Sequence, residues 1–73
     1  MREVRCSREA SSYIEDNHNL IPDVWSALFT LRDTDQPIGI YRQGLYRLET
    51  SDHRIYYSWV SKEIKQILVI KPL

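Results

Sequence analysis

Residues 44–59 read GLYRLETSDHRIYYSW and contain two segments in which apolar and polar residues alternate. This period of two is typical of strands that bury one face. A short turn centred on Ser51 and Asp52 joins the segments as an antiparallel hairpin. The predicted register pairs Glu49 with Arg54, Leu48 with Ile55, Arg47 with Tyr56, and Tyr46 with Tyr57. It places apolar side chains on one face and polar side chains on the other.

Upstream of this hairpin the periodicity is helical. Ser7 is the predicted N-cap of a helix that runs from Arg8 to about Asn17. Pro22 suits the first turn of a second helix that ends near Asp33. The second helix has a broad apolar stripe that must pack against another element, and a sheet is the expected one. The stripe consists of Ile21, Val24, Trp25, Leu28, Phe29 and Leu31.

Two further segments complete the predicted sheet. Residues 2–6 are predicted to form an opening strand, and residues 64–70 form a strand after the hairpin. The predicted fold class is α+β, in the order β-α-α-β-β-β, with two N-terminal helices packed on one face of an antiparallel sheet. Residues 1–73 are predicted to be a single domain, because so short a chain seldom builds two cores.

The composition excludes several classes of protein. A single cysteine, Cys6, rules out an internal disulfide and a multi-cysteine metal site. The longest apolar run is Ile67–Ile70, so we expect neither a signal peptide nor a membrane span. These features predict a cytoplasmic protein.

The formal charge of zero hides an asymmetry between the two halves of the chain. Residues 1–37 contain four basic and seven acidic residues, whereas residues 38–73 contain six basic and three acidic residues. A basic half points to an anionic partner, although so small an excess is more often explained by a mixed, solvated surface.

The residues that could support catalysis or metal binding lack a recognisable motif. His18 and His53 are predicted to be surface histidines, in a polar break and in a hairpin loop. Neither has ligand spacing for a metal, and no glycine-rich loop is present for a nucleotide, so no metal and no cofactor are expected. Tyr13, Trp25 and Phe29 are predicted to be core residues, because they lie at helical spacing among aliphatic residues.

Cys6 and Trp59 are predicted to have structural roles. Cys6 is expected to be a small buried hydrophobe, and Trp59 shares strand parity with Tyr57 and Ile55 at the rim of the core.

The outward face of the hairpin is the remaining candidate for a site. It carries Arg47, Arg54 and Tyr56, flanked by Arg42 and Lys71. Guanidinium groups bind phosphate through paired, charge-assisted hydrogen bonds, so this face suits RNA or DNA. The alternative is an ordinary charged surface in which Glu49 and Arg54 form a cross-strand ion pair.

The order of residues in 44–59 resembles the RelE/ParE toxin superfamily of bacterial toxin–antitoxin pairs. The family pattern is a glycine, an aromatic, a basic and an aliphatic residue, followed by a short loop and an aromatic-Arg-aliphatic-x-Tyr strand. The matching residues are Gly44, Tyr46, Arg47 and Leu48, then His53, Arg54, Ile55, Tyr56 and Tyr57, with His53 replacing an aromatic residue. The family also has a strand, two helices and then an antiparallel sheet, which is similar to the order of elements predicted above for this chain.

The resemblance implies a toxin silenced by a cognate antitoxin. RelE-type members cut ribosome-bound messenger RNA without a metal, and ParE-type members inhibit DNA gyrase; the shared pattern does not separate the two. In the RelE case Arg47 and Arg54 are the expected catalytic residues. Arg54 binds the phosphate in the transition state, and Arg47 positions the scissile backbone or assists proton transfer. Arg42, Tyr56 and Lys71 are the expected RNA- and phosphate-binding residues.

Two departures from the RelE pattern predict weak or absent ribonuclease activity. Glu49 stands where RelE-type enzymes tend to have another basic residue, and it can neutralise Arg54. RelE-type enzymes also continue beyond the last strand with an Arg or His and a Tyr, whereas residues 71–73 read Lys-Pro-Leu. The alternatives are a non-catalytic binding module on the same scaffold and an unrelated small α+β domain.

Overall fold

The computed structural model describes residues 2–73 and contains two helices and five strands in that range. In chain order the elements are β1 (Glu3–Cys6), α1 (Arg8–Asn17), α2 (Pro22–Asp33), β2 (Ile40–Arg42), β3 (Leu45–Glu49), β4 (His53–Trp59) and β5 (Ile64–Pro72). The strands form one sheet in the order β1-β5-β4-β3-β2. The predicted α+β class, with two N-terminal helices on a sheet, is confirmed.

The hairpin of β3 and β4 has the predicted register. Tyr46 lies opposite Tyr57, and Glu49 lies opposite Arg54, with the two intervening pairs also as expected. Ile55 and Tyr57 are fully buried on the side of the helices. The alternation of residue types in the sequence therefore decides which side chains enter the core.

The sheet differs from the prediction at both edges. The sequence does not predict β2, because three residues are too few to show a period of two; this strand pairs antiparallel with β3. β1 lies beside β5 and runs parallel to it, so the sheet is mixed rather than wholly antiparallel. The chain leaves β1 for the helices instead of turning back through a hairpin, and this route allows a parallel neighbour.

Both helices begin where local signals place them. The hydroxyl of Ser7 accepts a hydrogen bond from the backbone N–H of Ala10 at 3.1 Å, which confirms Ser7 as the N-cap of α1. Pro22 lies in the first turn of α2. Among residues 2–73, no helix is both long enough and apolar enough to cross a membrane.

The stripe of α2 that packs on the sheet is narrower than predicted. Ile21, Val24 and Leu31 are fully buried, whereas Trp25 is 40% exposed and Phe29 is 53% exposed. The prediction that these two aromatic residues belong to the core is wrong. A helix lying on a sheet buries one stripe, and the aromatic residues fall beside that stripe rather than on it.

Lys65 joins the end of α2 to the sheet. Its Nζ donates hydrogen bonds to the carbonyl oxygens of Leu31 (2.6 Å) and Thr34 (2.8 Å), at the end of the helix where carbonyls lack helical partners. Nζ also lies 4.2 Å from the centre of the Trp59 ring. Burial lowers the pKa of Lys65, against the charge of Asp35, which raises it. Lys65 is thus a buried residue that links α2 to the sheet, and its charge does not contribute to a basic surface.

Cys6 and Trp59 have the structural roles that the sequence predicts. Both are partly buried and pack against the core. Burial raises the pKa of the Cys6 thiol, which favours its unreactive, protonated form.

Gly39 precedes β2 at a point where the backbone passes very close to β3. Its φ is +94°, and a Cβ there would lie 2.4 Å from the carbonyl oxygen of Arg47. We expect Gly39→Ala to lower the free energy of unfolding by more than about 2 kcal/mol, because the residue is both strained and overlapped by backbone. Urea denaturation measures the change.

Gly44→Ala is the matched control for this prediction. Gly44 has a φ of +84° but no atom within 4 Å of an added Cβ, so only the conformational strain remains, about 1–2 kcal/mol. Equal losses of stability for the two variants would contradict the close approach of Gly39 to β3.

Candidate functional site

The candidate site lies on the sheet surface opposite the helices, which we call the outer face. The register of β3 with β4 places Arg47 opposite Tyr56 and Arg54 opposite Glu49. Since alternate residues share a face, the two arginines project to the same side from neighbouring strands. About 36% of the Arg47 side chain and 37% of the Arg54 side chain are exposed. Both guanidinium groups are therefore within reach of a ligand.

Glu49 lies between the two arginines. Its Oε1 is 3.1 Å from Nη2 of Arg54 and 3.9 Å from Nε of Arg47. The cross-strand pair of Glu49 and Arg54, one of the two alternatives from the sequence, is confirmed. One carboxylate thus offsets part of the charge of two guanidinium groups.

The two guanidinium groups retain donors that the protein does not use. The Nε atoms of Arg47 and Arg54 are shielded from solvent, and neither makes a hydrogen bond within the part of the chain that the structure describes. Hydrogen bonding with Tyr56 raises the pKa of Arg54; burial opposes this, and the charge of Glu49 adds to it. A ligand oxygen that displaced the Glu49 carboxylate would therefore face two positively charged guanidinium groups.

The three predicted flanking residues lie on the outer face as well. Arg42 pairs with Leu45 across β2 and β3, and Arg42, Arg47 and Tyr56 line a shallow cavity of about 360 Å³. Lys71 pairs with Arg54 across β4 and β5. From strand spacings, Arg42 and Lys71 stand roughly 20 Å apart at opposite corners of the face. The structure brings all five predicted residues to one surface, but only an extended ligand reaches both corners.

A polar cluster that the sequence does not predict lies on the opposite face of the hairpin. The sequence places His53 on the surface of a loop, but it is the first residue of β4 and is only 4% exposed. Its Nδ1 lies 2.9 Å from a carboxylate oxygen of Asp23 in α2, and its Nε2 lies 3.0 Å from the hydroxyl of Tyr13 in α1. The prediction of a surface histidine is wrong, whereas His18 is exposed as predicted.

The Asp23 carboxylate organises the turn between β3 and β4. It accepts hydrogen bonds from the hydroxyl of Thr50 and from the backbone N–H of Asp52 (3.1 Å), in addition to its contact with His53. Burial alone would raise the pKa of Asp23, but these hydrogen bonds and the charge of His53 lower it to about 2.

The Asp23–His53–Tyr13 cluster has the order of groups found in catalytic triads, a carboxylate that holds a histidine next to a hydroxyl. Both ring nitrogens of His53 are occupied, and the ring is buried, so the cluster lacks an open face for a substrate. Asp23 and Tyr13 each occupy one ring nitrogen of His53, so all three side chains have a hydrogen-bond partner within the cluster. We interpret the cluster as a structural hydrogen-bond network that holds α1, α2 and the hairpin together.

No local signal in the sequence identifies this cluster, because Asp23 and His53 are 30 residues apart. The alternation of β4 does extend back to His53, which shares its face with Ile55 and Tyr57. Starting the strand one residue earlier would have predicted a buried histidine. Among residues 2–73, no three histidine, cysteine, aspartate or glutamate side chains group in a way that could hold a metal ion.

Comparisons of this chain with protein-family models, with curated proteins and with solved structures gave no match.

The Asp23 carboxylate predicts a specific acid dependence of stability. Its folded-state pKa of about 2 lies below the ordinary value of 3.8, so its contribution is present above pH 4 and is lost as the pH falls towards 2. We expect Asp23→Asn to lower the free energy of unfolding by about 2 kcal/mol at pH 7 and to cost progressively less below pH 4. Urea denaturation at a series of pH values measures the difference.

Asp52→Asn is the control, since Asp52 lies in the same turn with an exposed side chain. It should change stability little at any pH. A loss of stability in Asp23→Asn that stayed constant down to pH 2 would contradict the origin of the effect in the ionised carboxylate.

Proposed function

We propose that this protein is a toxin-like protein of the RelE/ParE type, which binds the phosphate backbone of messenger RNA on its outer face and cleaves it weakly. The observation that carries the proposal is the projection of Arg47 and Arg54 to one face from adjacent strands. One oxygen of Glu49 lies within 4 Å of a nitrogen of each arginine, so a phosphate in the same place can contact both guanidinium groups. The proposed partners are a cognate antitoxin and ribosome-bound messenger RNA, and the proposed place of action is the cytoplasm.

In the proposed reaction, a ribose 2′-hydroxyl attacks the adjacent phosphorus, and the bond from phosphorus to the 5′-oxygen breaks. The 2′-oxygen loses its proton and the 5′-oxygen gains one, so the step yields a cyclic phosphate and a free 5′-hydroxyl. Arg54 stabilises the charge that develops on the phosphoryl oxygens. Arg47 positions the scissile backbone or assists the proton transfer.

The position of Glu49 supports weak rather than efficient cleavage. Its carboxylate occupies the place next to Arg54 that a phosphate oxygen must take, at 3.1 Å from Nη2. A ligand has to displace it, and the displaced charge then remains on the same face. The same contact favours a second candidate function, a non-catalytic module that binds nucleic acid or protein, including DNA gyrase, on this scaffold.

Removal of either arginine is expected to weaken RNA binding. Arg54→Ala and Arg47→Ala should each lower the affinity for a short single-stranded RNA at least fivefold, because each removes a charge-assisted hydrogen bond. The slope of log affinity against log salt should fall by about 0.7 for each phosphate that the variant no longer neutralises. Fluorescence anisotropy at several salt concentrations measures both quantities.

Arg8→Ala is the matched control, because Arg8 is an exposed arginine on α1, away from the outer face. It should leave the affinity and the salt slope nearly unchanged. Induced expression in a bacterium extends the test, since arrest of growth and translation should be relieved by the outer-face variants and not by Arg8→Ala. Equal effects of all three variants would show that only net charge matters and would refute the proposed face.

Removal of the Glu49 charge is expected to have the opposite effect. Glu49→Gln keeps the size of the side chain but releases both guanidinium groups, so RNA affinity should rise about threefold or more at low salt. Glu15→Gln on α1 removes the same charge from an exposed position elsewhere and should have a smaller effect. Weaker binding by Glu49→Gln would mean that the carboxylate orients the arginines for the ligand rather than competing with it.

A further inference from the structure

The shallow cavity of the outer face, which we call the outer cavity, has a mixed lining. Its wall consists of Ile40, Arg42, Gln43, Leu45, Arg47 and Tyr56. Its volume of about 360 Å³ lies within the range of small-ligand sites, which combine apolar walls with a few polar groups. Aliphatic side chains, an aromatic ring and an amide are not groups that a phosphate requires. This lining therefore suits a flatter, less charged part of a ligand.

Strand pairing places this lining on the same face as the two arginines of the proposed site. Ile40 lies opposite Arg47, and Arg42 lies opposite Leu45, in the ladder of β2 with β3. Arg47 in turn lies opposite Tyr56 in the ladder of β3 with β4. Since directly opposite residues share a face, all five side chains project to the outer face.

The outer cavity adjoins the proposed phosphate site through Arg47. Arg47 lines the cavity, and its Nε lies 3.9 Å from the same Glu49 oxygen that contacts Arg54. Tyr56 also lines the cavity and is two residues from Arg54 on β4, about 7 Å along the strand. A base is joined to its phosphate through one sugar, so the two groups can occupy the cavity and the arginines together.

Gln43 is the residue of the outer cavity that the turn itself explains least. With Gly44 it forms the two-residue loop between β2 and β3, and it has a φ of +53°. Loops of this kind favour asparagine or glycine at the first position. The side-chain amide of Gln43 has no hydrogen-bond partner among residues 2–73. It therefore has a donor and an acceptor available for a ligand.

We infer that the outer cavity binds a nucleobase of the RNA whose phosphate lies on Arg47 and Arg54, and that Gln43 recognises adenine there. The inference rests on the proposed function and adds a base-binding subsite to it. The Gln43 carbonyl oxygen accepts a hydrogen bond from the 6-amino group of adenine, and the amide NH₂ donates one to the ring nitrogen N7. Ile40, Leu45 and the ring of Tyr56 supply the apolar surface that the base contacts.

The experiment compares three six-nucleotide chains by fluorescence anisotropy: oligoadenylate, the same chain with unsubstituted purine in place of adenine, and an abasic chain. All three carry 2′-O-methyl groups, which prevent the proposed cleavage. Wild-type protein should bind the purine chain at least threefold more tightly than the abasic chain, because the base contacts the cavity. It should bind oligoadenylate at least threefold more tightly than the purine chain, which lacks the 6-amino group.

Gln43→Gly tests the recognition of the 6-amino group. It removes the amide at a backbone conformation that glycine adopts readily, so the turn is retained. The variant should bind the adenine and purine chains equally, and both more tightly than the abasic chain. A change in net charge cannot explain this result, since glutamine and glycine are both neutral.

Tyr41→Val is the matched control. Tyr41 is the middle residue of β2 and is 61% exposed, but it lies opposite Tyr46 and projects to the other face of the sheet. Valine removes the ring while keeping a good strand-forming residue. Both preferences of the wild-type protein should remain in this variant.

The outcomes separate the subsite from the proposed function. If the wild-type protein binds all three chains equally, the base-binding subsite is refuted while phosphate binding on the outer face stands. The subsite is also refuted if Gln43→Gly still distinguishes adenine from purine, or if Tyr41→Val loses either preference. If the wild-type protein binds none of the chains, the proposed function fails and the subsite fails with it.

Discussion

The register between β3 and β4 constrains both the core and the candidate site, because neighbouring residues of a strand point to opposite faces. In the observed register Ile55 and Tyr57 are fully buried under the helices, while Arg47 and Arg54 project away from them. A slip of one residue would bury guanidinium groups beneath the helices and expose the apolar side chains. Burial of an unpaired charge is far more costly than breaking one hydrogen bond. The energy that selects the core thus also places both arginines on one surface.

The helices reinforce this register from the opposite side of the sheet. Asp23 accepts hydrogen bonds from the Thr50 hydroxyl, the Asp52 backbone and the His53 ring, three groups of the same turn. The turn is flanked directly by Glu49 and Arg54, which form the ion pair of the outer face. The pKa of Asp23 is about 2, so its carboxylate remains ionised at all but strongly acidic pH. This ionised carboxylate fixes the end of the hairpin that carries Glu49 and Arg54.

Local sequence patterns predict the strands of the hairpin and the faces of their side chains. They do not predict contacts between residues that are far apart in the chain. Strand alternation and turn length are properties of neighbouring residues, and they predict the hairpin register and the common face of Arg47, Arg54 and Tyr56. The contact of Asp23 with His53 spans 30 residues and depends on how α2 packs, so no spacing rule reveals it. The exposure of Trp25 likewise depends on the direction in which α2 lies on the sheet. The edge strand β2 has three residues and is too short to show a pattern in the sequence.

The competition between Glu49 and a phosphate determines what kind of ligand the outer face can hold. An exposed ion pair contributes about 0.2–1 kcal/mol, whereas a hydrogen bond to a charged group contributes about 1.5–3 kcal/mol, so phosphate can displace the carboxylate. The displaced carboxylate stays a few ångströms away and repels the phosphate by about 1 kcal/mol in water. A single phosphate is therefore held weakly. Arg42 and Lys71 lie at opposite corners of the face, where only further phosphates of the same chain reach them. This balance favours a polymer over a mononucleotide, because each additional phosphate adds to binding after the first one has displaced Glu49.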